Sequence, residues 1–309
     1  MQKRKFTKIN NYGFIGNLQT TALVSLQGDI DFMCFPNFDS PTVFATILDE
    51  DKGGGFAIEP LIENLEYKQF YVTNTATLIT RFSSKDGMGE ICDTMVVDEK
   101  DHKLKLLRKV TTTYGDISYR VKCNPRFNHA ETRHKATQKG NEICFSTGDD
   151  NFLCLNSCQD LYISMDDGFS EFSLAERESA YFILTDFHLT EEQQENMPSF
   201  GENYLEESNK YWQNWVSKST YKGRWVETVL RSAITLKLLT SHKEGSLIAA
   251  PTFGLPEKIG GERNWDYRYT WIRDAAFAMY AFLKLGFKEE AKSFFKWVEK
   301  YCFKDKMDL

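Results

Sequence analysis

Hydrophobic and polar residues alternate along most of the first 190 positions. In "DISYRVKC" (116–123) Ile117, Tyr119, Val121 and Cys123 fall on one side of an extended chain, while Ser118, Arg120 and Lys122 fall on the other. A period of two marks a half-buried strand. Similar runs recur at 56–60, 75–82, 103–110, 141–147, 161–165 and 180–187. Turn-forming residues separate them, in "SLQGDID" (25–31), "KDGMG" (85–89), "YGD" (114–116) and "TGDDN" (147–151). Short strands in hairpin-type succession, with no helices between them, predict an antiparallel sandwich over residues 1–190 rather than a parallel α/β sheet.

The period then changes. "TEEQQENMPSFGEN" (190–203) is polar and reads as a linker, so that 191–222 is expected to be a linker carrying an aromatic-rich helix with Tyr204, Tyr211, Trp212 and Trp215 near helical spacing. In "RWVETVLRSAITLKLL" (224–239), Val226, Val229, Leu230, Ala233 and Ile234 form a continuous stripe. Further helices are expected over 270–285 and 288–301, broken by Gly286. All six tryptophans lie after residue 211, which sets 223–309 apart as a second, helical region.

Composition narrows the function classes. A chain of 309 residues with 41% hydrophobic content has the size of two globular domains. No run of 18 apolar residues and no signal-type N-terminus are present, so neither a membrane span nor secretion is expected. With 38 basic against 44 acidic residues the net charge is −6, which offers no field for a nucleic-acid backbone. The seven cysteines are odd in number, scattered and unaccompanied by an Asn-x-Ser/Thr sequon; reduced thiols and a cytoplasmic location follow as expectations. Cys154 and Cys158 are the only closely spaced thiols, and His102, His129, His134, His188 and His242 show no ligand-like spacing, so no metal and no cofactor are expected. "KGGGF" (52–56) precedes a strand rather than a helix and reads as a tight turn, and no Gly-x-Ser-x-Gly elbow occurs.

Candidate chemistry concentrates in "GGERNWDYRYTWIRD" (260–274). Three arginines, three carboxylates, two tryptophans and two tyrosines share fifteen residues. Aromatic faces stack on the C–H face of a pyranose, while guanidinium and carboxylate groups engage neighbouring hydroxyls in paired hydrogen bonds. The same residue types also suit a structural ion-pair cluster with core aromatics. Asp266 and Asp274 lie eight residues apart across a loop-to-helix change, so the sequence does not fix their separation against the roughly 6.5–9.5 Å of an inverting acid/base pair.

On these residues the chain resembles a known family. "AAPTFGLPEKIGGERNWDYRYTWIRDAAFAMYAFLKLGFKEEA" (249–291) resembles the first catalytic block of glycoside hydrolase family 15, the glucoamylase and trehalase-like enzymes. "IGNLQTTALVSLQGDIDFMCFPNFDSPTVFATILD" (15–49) is similar to the opening of the β-domain of bacterial and archaeal members, and 77–97, 177–184 and 211–239 fit in order. The resemblance implies an N-terminal antiparallel super-β-sandwich followed by the first few helices of an incomplete (α/α)6 barrel. The implied activity is inverting hydrolysis of an α-glucoside, with trehalose or a glucose-containing oligosaccharide as substrate. Tyr267, Trp271, Arg273 and Asp274 match the family's glucose-binding segment: Arg273 and Asp274 would hold distal hydroxyls, Trp271 would shape the pocket, and Tyr267 would sit beside the developing charge. Trp265, Asp266 and Arg268 are implied as substrate-loop residues.

Departures accompany the match. Phe253 and Gly254 stand where the family more often has a Thr-Ser pair, and Asn37 where an arginine is common. The family's two catalytic glutamates lie in segments beyond residue 309, so no catalytic residue is expected in this chain. From 224 to 309 there are 86 residues, room for roughly three to five of the barrel's twelve helices at about 11–12 residues each with connections of about 4–6. The chain is therefore expected to be the N-terminal part of an enzyme, inactive alone, with the remaining barrel segment as a candidate separate-chain partner. A non-catalytic carbohydrate-binding or assembly module, and a disaccharide phosphorylase of related architecture, are the alternatives.

Overall fold

The computed structural model describes residues 7–148, 152–258 and 260–302. The end of the predicted "TGDDN" turn and the closing run 303–309 lie outside the described residues. The chain opens with β1 (Tyr12–Gly16), β2 (Thr21–Ser25), β3 (Ile30–Cys34), β4 (Thr42–Phe44) and β5 (Gly55–Pro60). Next come β6 (Glu66–Tyr71), β7 (Leu78–Ser83), β8 (Met88–Met95), β9 (Lys105–Tyr114) and β10 (Ile117–Asn124). β11 (Lys135–Lys139), β12 (Glu142–Ser146), β13 (Phe152–Ser157), β14 (Tyr162–Ser164), β15 (Asp167–Leu174) and β16 (Ser179–Thr185) follow. One sheet has the order β1, β2, β3, β5, β10, β15, β14, with β4 on β3; the other runs β11, β12, β13, β16, β9, β8, β7, β6. Neighbours are antiparallel. Every predicted alternating run lies on one of these strands.

The sheets share one apolar core, to which Ile30, Phe56, Ile58 and Val121 contribute from the first and Phe82, Ile91, Leu106 and Phe182 from the second. Each such side chain contributes about 1.5–3 kcal/mol by leaving water. Among them sits a charge. β9 turns Leu106, Arg108 and Val110 to the same side by strict alternation, and Arg108 and Asp93 are both 0% exposed. The Arg108 Nε donates to Asp93 Oδ1 at 2.8 Å, across the β8–β9 ladder. Its two terminal nitrogens donate to the carbonyls of Phe56 and Gly28, in the opposite sheet and the β2–β3 turn, and the guanidinium lies 4.7 Å from the Phe56 ring centre.

The polar stretch 190–203 is not an extended linker. Thr190 and Gln193 form a reciprocal capping box that starts α1 (Glu191–Glu195), and α2 (Met197–Val216) begins two residues later with a proline in its first turn. The polarity there is that of a helix start. α2 covers the outer face of β9 and β16, placing Met197 and Tyr204 against Leu107, Tyr181 and Ile183. Gly201 permits this approach, because a Cβ there would come within 2.6 Å of the Tyr181 ring.

α2 ends in a second core. Trp212 and Trp215 pack there with Leu18 and Phe38 of the sandwich and with α3 (Val226–Leu238), α4 (Ile272–Leu285) and α5 (Lys288–Cys302). Trp215 stacks on Phe287 at 4.0 Å and donates to Glu290 at 2.6 Å, and Lys237 pairs with Glu290 at 3.1 Å. Burial works against the Glu290 charge, but Lys237 and Trp215 outweigh it and hold its carboxyl below the usual range. The predicted stripe on α3 is displaced toward its C-terminus: Leu230, Ala233, Ile234 and Leu238 are buried, and Val226 is exposed. No helix of the described residues is long and apolar enough to cross a membrane.

The expectation that all thiols are reduced is corrected. Cys144 and Cys154 stand opposite each other on β12 and β13, with Cα atoms 4.1 Å apart, and are joined by a disulfide. Cys34, Cys92, Cys123 and Cys158 are free.

Substituting Arg108→Met should cost about 3–5 kcal/mol, because Asp93 would be left fully buried without the partner that balances it. The double variant Arg108→Met, Asp93→Leu should recover part of that loss. Denaturant midpoints measure both, and equal losses in the single and double variants would contradict the assigned role.

Candidate functional site

The segment rich in arginine and aromatic residues is held by backbone pairing. Ala249 N–H donates to the Tyr269 carbonyl at 3.0 Å, Ala250 to Tyr267 at 2.9 Å, and Tyr267 to Thr252 at 3.3 Å; Phe253 and Asp266 form a bridge. The arm 266–270 is thereby tied back onto 249–253, bends at Arg268 and Tyr269, and runs directly into α4. Trp271 stands at the N-cap of that helix with extended backbone angles, and Asp274 lies in its first turn, the favourable end for an acidic side chain.

Burial and bonding partners divide the candidate residues along this arm. Arg268 points inward and is only 6% exposed. It grips Asp266 in a fork, with Nη2 to Oδ2 at 2.7 Å and Nε to Oδ1 at 3.0 Å. Nη1 donates to the Ser40 carbonyl at 2.6 Å, and the guanidinium lies 4.2 Å from the Phe253 ring centre. Burial works against the charge of Asp266, yet the side-chain and backbone hydrogen bonds from Arg268 prevail and keep its carboxyl below the ordinary value. Burial pushes the neighbouring Cys34 thiol up to about 11, against the pull of Arg268. His129 is lowered by burial first and by the Arg268 charge second. Arg268 and Asp266, expected on the substrate loop, thus spend their hydrogen bonds on anchoring the arm to the sandwich.

The outward residues form a different group. Tyr267 and Trp271 stack at 5.2 Å with an interplanar angle of 21°. The Arg273 guanidinium lies 5.9 Å from the Trp271 ring centre, and its Nη2 reaches Asp274 Oδ2 at 3.2 Å. Arg273 is largely exposed and Asp274 partly so, which leaves donors and acceptors of this pair facing outward. Trp265 turns to Glu257, donating its indole N–H at 3.1 Å. Phe253 lies with its ring 5.9 Å from Phe32 and 5.2 Å from His129, and so belongs to the anchor.

A cavity of about 620 Å³ opens between the sandwich and the helices, lined by Asn37, Phe38, His102, His242, Arg268 and Tyr269 among others. It includes none of Tyr267, Trp271, Arg273 and Asp274. His242 on its wall lies 3.8 Å from Glu99, and Glu244 lies 3.3 Å from Lys300. The side chains suited to a sugar ring are those at the start of α4, outside this cavity. Elsewhere, the fold places Glu142, Cys144, Cys154 and His188 with ligand atoms within 4.8 Å of one another. Sequence spacing does not show this group, because strand pairing rather than chain proximity assembles it.

Residues 1–212 match the family described as Trehalase-like, N-terminal, and residues 223–309 match Glycosyl hydrolases family 15. A trehalase of Thermoplasma acidophilum is 38% identical over 280 residues, covering 88% of this chain and 47% of the relative. One from Thermoplasma volcanium is 35% identical over 94% of this chain and 46% of its own, and one from Mycolicibacterium smegmatis 29% over 96% and 48%. The chain thus spans about half the length of the curated relatives it matches. A solved bacterial glucoamylase complexed with acarbose superposes with a TM-score of 0.66 at 14% identity, over 96% of this chain and 50% of that one. The shared fold is a β-sandwich followed by the start of an (α/α) barrel.

Asp266→Asn should lower thermal stability at neutral pH by about 1–2 kcal/mol, through loss of the charged partner of Arg268. A carboxyl whose folded pKa is depressed stabilises above its unfolded value of about 3.9, and that contribution fades as pH falls through the folded value. The gap in melting temperature between the variant and the unmodified chain should therefore close in acid, as scanning fluorimetry across pH will show.

Proposed function

Because the chain belongs to the trehalase-like glycosyl hydrolases of family 15, we propose that it forms the sugar-holding part of an inverting α-glucoside hydrolase acting on trehalose or a related glucose-containing oligosaccharide. The observation that carries this reading is the outward group at the start of α4: a stacked Tyr267–Trp271 pair beside Arg273 and Asp274. The Trp271 face takes the C–H face of a glucose ring, and Arg273 donors with Asp274 acceptors pair with adjacent hydroxyls. Tyr267 then stands where positive charge develops on the ring.

Inversion needs an acid and a base about 6.5–9.5 Å apart. We assign that pair to polypeptide outside these 309 residues, in the same chain or a separate one, that covers the outward faces of α4 and α5. Phe277, Tyr280 and Phe295 stand 73%, 63% and 60% exposed there, an apolar surface suited to further helices. Among the described residues Cys34, Cys92, Cys123 and Cys158 stay free beside the single Cys144–Cys154 disulfide, a balance compatible with a cytoplasmic setting.

Calorimetric titration with trehalose, maltose and glucose tests this reading. Trehalose should bind the unmodified chain, and Asp274→Ala and Trp271→Ala should each weaken it by about tenfold or more with little change in melting temperature. Unchanged binding in both variants would overturn the assignment. Binding without glucose release, even when the remaining barrel helices are supplied, would instead identify a carbohydrate-binding module; phosphate-dependent turnover would identify a phosphorylase.

A further inference from the structure

The group on β12 and β13 lies on the outward side of the second sheet. Ile143, Phe145, Leu153 and Leu155 enter the sandwich core; by alternation Glu142, Cys144, Cys154 and Asn156 share the opposite face. Glu142 stands across from Asn156, and Cys144 across from Cys154. His188, just after β16, closes over them: its Nδ1 lies 3.6 Å from Cys144 Sγ, 3.8 Å from Cys154 Sγ and 2.8 Å from Glu142 Oε1. Its ring stacks on Phe152 at 5.4 Å.

Two features make this more than a disulfide beside a histidine. Glu142 is 4% exposed, and its second oxygen, Oε2, has no hydrogen-bond partner; neither does the side-chain amide of Asn156 opposite. A buried carboxylate oxygen left unpaired is costly, and a cation removes that cost. The four groups are also of the types that bind zinc. A tetrahedral ion at about 2.3 Å from sulfur and about 2.0 Å from nitrogen and oxygen sets its ligands roughly 3.3–3.8 Å apart. Both sulfur–nitrogen distances already fit this spacing. His188 is two-thirds exposed, which gives an ion a way in from solvent.

We propose that reduction of the Cys144–Cys154 disulfide opens a four-ligand site for a thiophilic divalent cation of the zinc class, formed by both thiolates, His188 Nδ1 and a Glu142 oxygen. Two molecules of a monothiol supply two electrons and two protons and leave joined as their own disulfide, giving two protein thiols. The cation then displaces both thiol protons to solvent and forms two metal–sulfur bonds without any further change in oxidation state. Bound there, it ties the β12–β13 pair to the segment that leads into α1. Cys34 and Cys92, whose thiols burial pushes up to about 11 and about 12, compete poorly as thiolates.

Cobalt(II) is the probe. The full chain, reduced with a phosphine and desalted without oxygen, should take up one equivalent of Co²⁺. Thiolate-to-cobalt charge transfer and the intense visible bands of a tetrahedral ion should appear, and Zn²⁺ should displace them. The oxidised chain should show neither. Cys154→Ser should weaken binding on the order of a hundredfold. His188→Ala, with its melting temperature measured alongside, should weaken it by about tenfold or more; Cys158→Ser should have no effect. Absence of the cobalt spectrum in the reduced chain overturns the proposal. Equal uptake by the His188→Ala variant, or loss of uptake on Cys158→Ser, does so as well.

Discussion

Arg108 is the residue on which the sandwich depends. A guanidinium removed from water is tolerable only when its donors are satisfied, and this one meets a carboxylate on its own sheet and two carbonyls on the facing side. Apolar contact between the sheets is permissive of small slips, whereas a planar fork aimed at fixed carbonyls is not. The guanidinium's bonds to the Phe56 and Gly28 carbonyls therefore tie the two sheets together, with Asp93 balancing its charge, and the surrounding Leu106, Val110 and Phe56 keep water from it.

The same strand organises what lies outside the sandwich. β9 is buried on both faces, with Leu106 and Val110 inward and Leu107 beneath α2. α2 in turn carries Trp212 and Trp215 into the helical core, where Leu18 and Phe38 of the β-domain also reside. The two halves of the chain are joined through packed side chains, and the position of α4 is inherited from them.

Alternation made the half-buried strands readable, as in β10, whose pattern of buried and exposed residues repeats strictly. It failed for β2 and β3, which are buried throughout because Ile30 and Met33 face the other sheet while Phe32 and Cys34 face Phe253. A strand covered on both sides has no polar face to alternate with. The helix start at Thr190 was hidden by the polarity of its own capping box. At the candidate site, residue types were legible but direction was not: only the fold separates inward Arg268 from outward Arg273. The Glu142 and His188 neighbourhood was invisible to spacing because its members come from three strands' worth of chain.

The anchor at Arg268 also says something about the order of folding. Its bonds to Ser40 and Cys34 close separations of 228 and 234 residues, among the longest-range links in the chain. Contacts so distant in sequence form late, after nearer pairings have shortened the loop between them. The sandwich strands, all within residues 12–185, are synthesised before the arm 266–270 that docks on them. The N-terminal domain thus serves as a template on which the aromatic group of α4 is assembled, and a destabilised sandwich would blur that group without any change in its own residues.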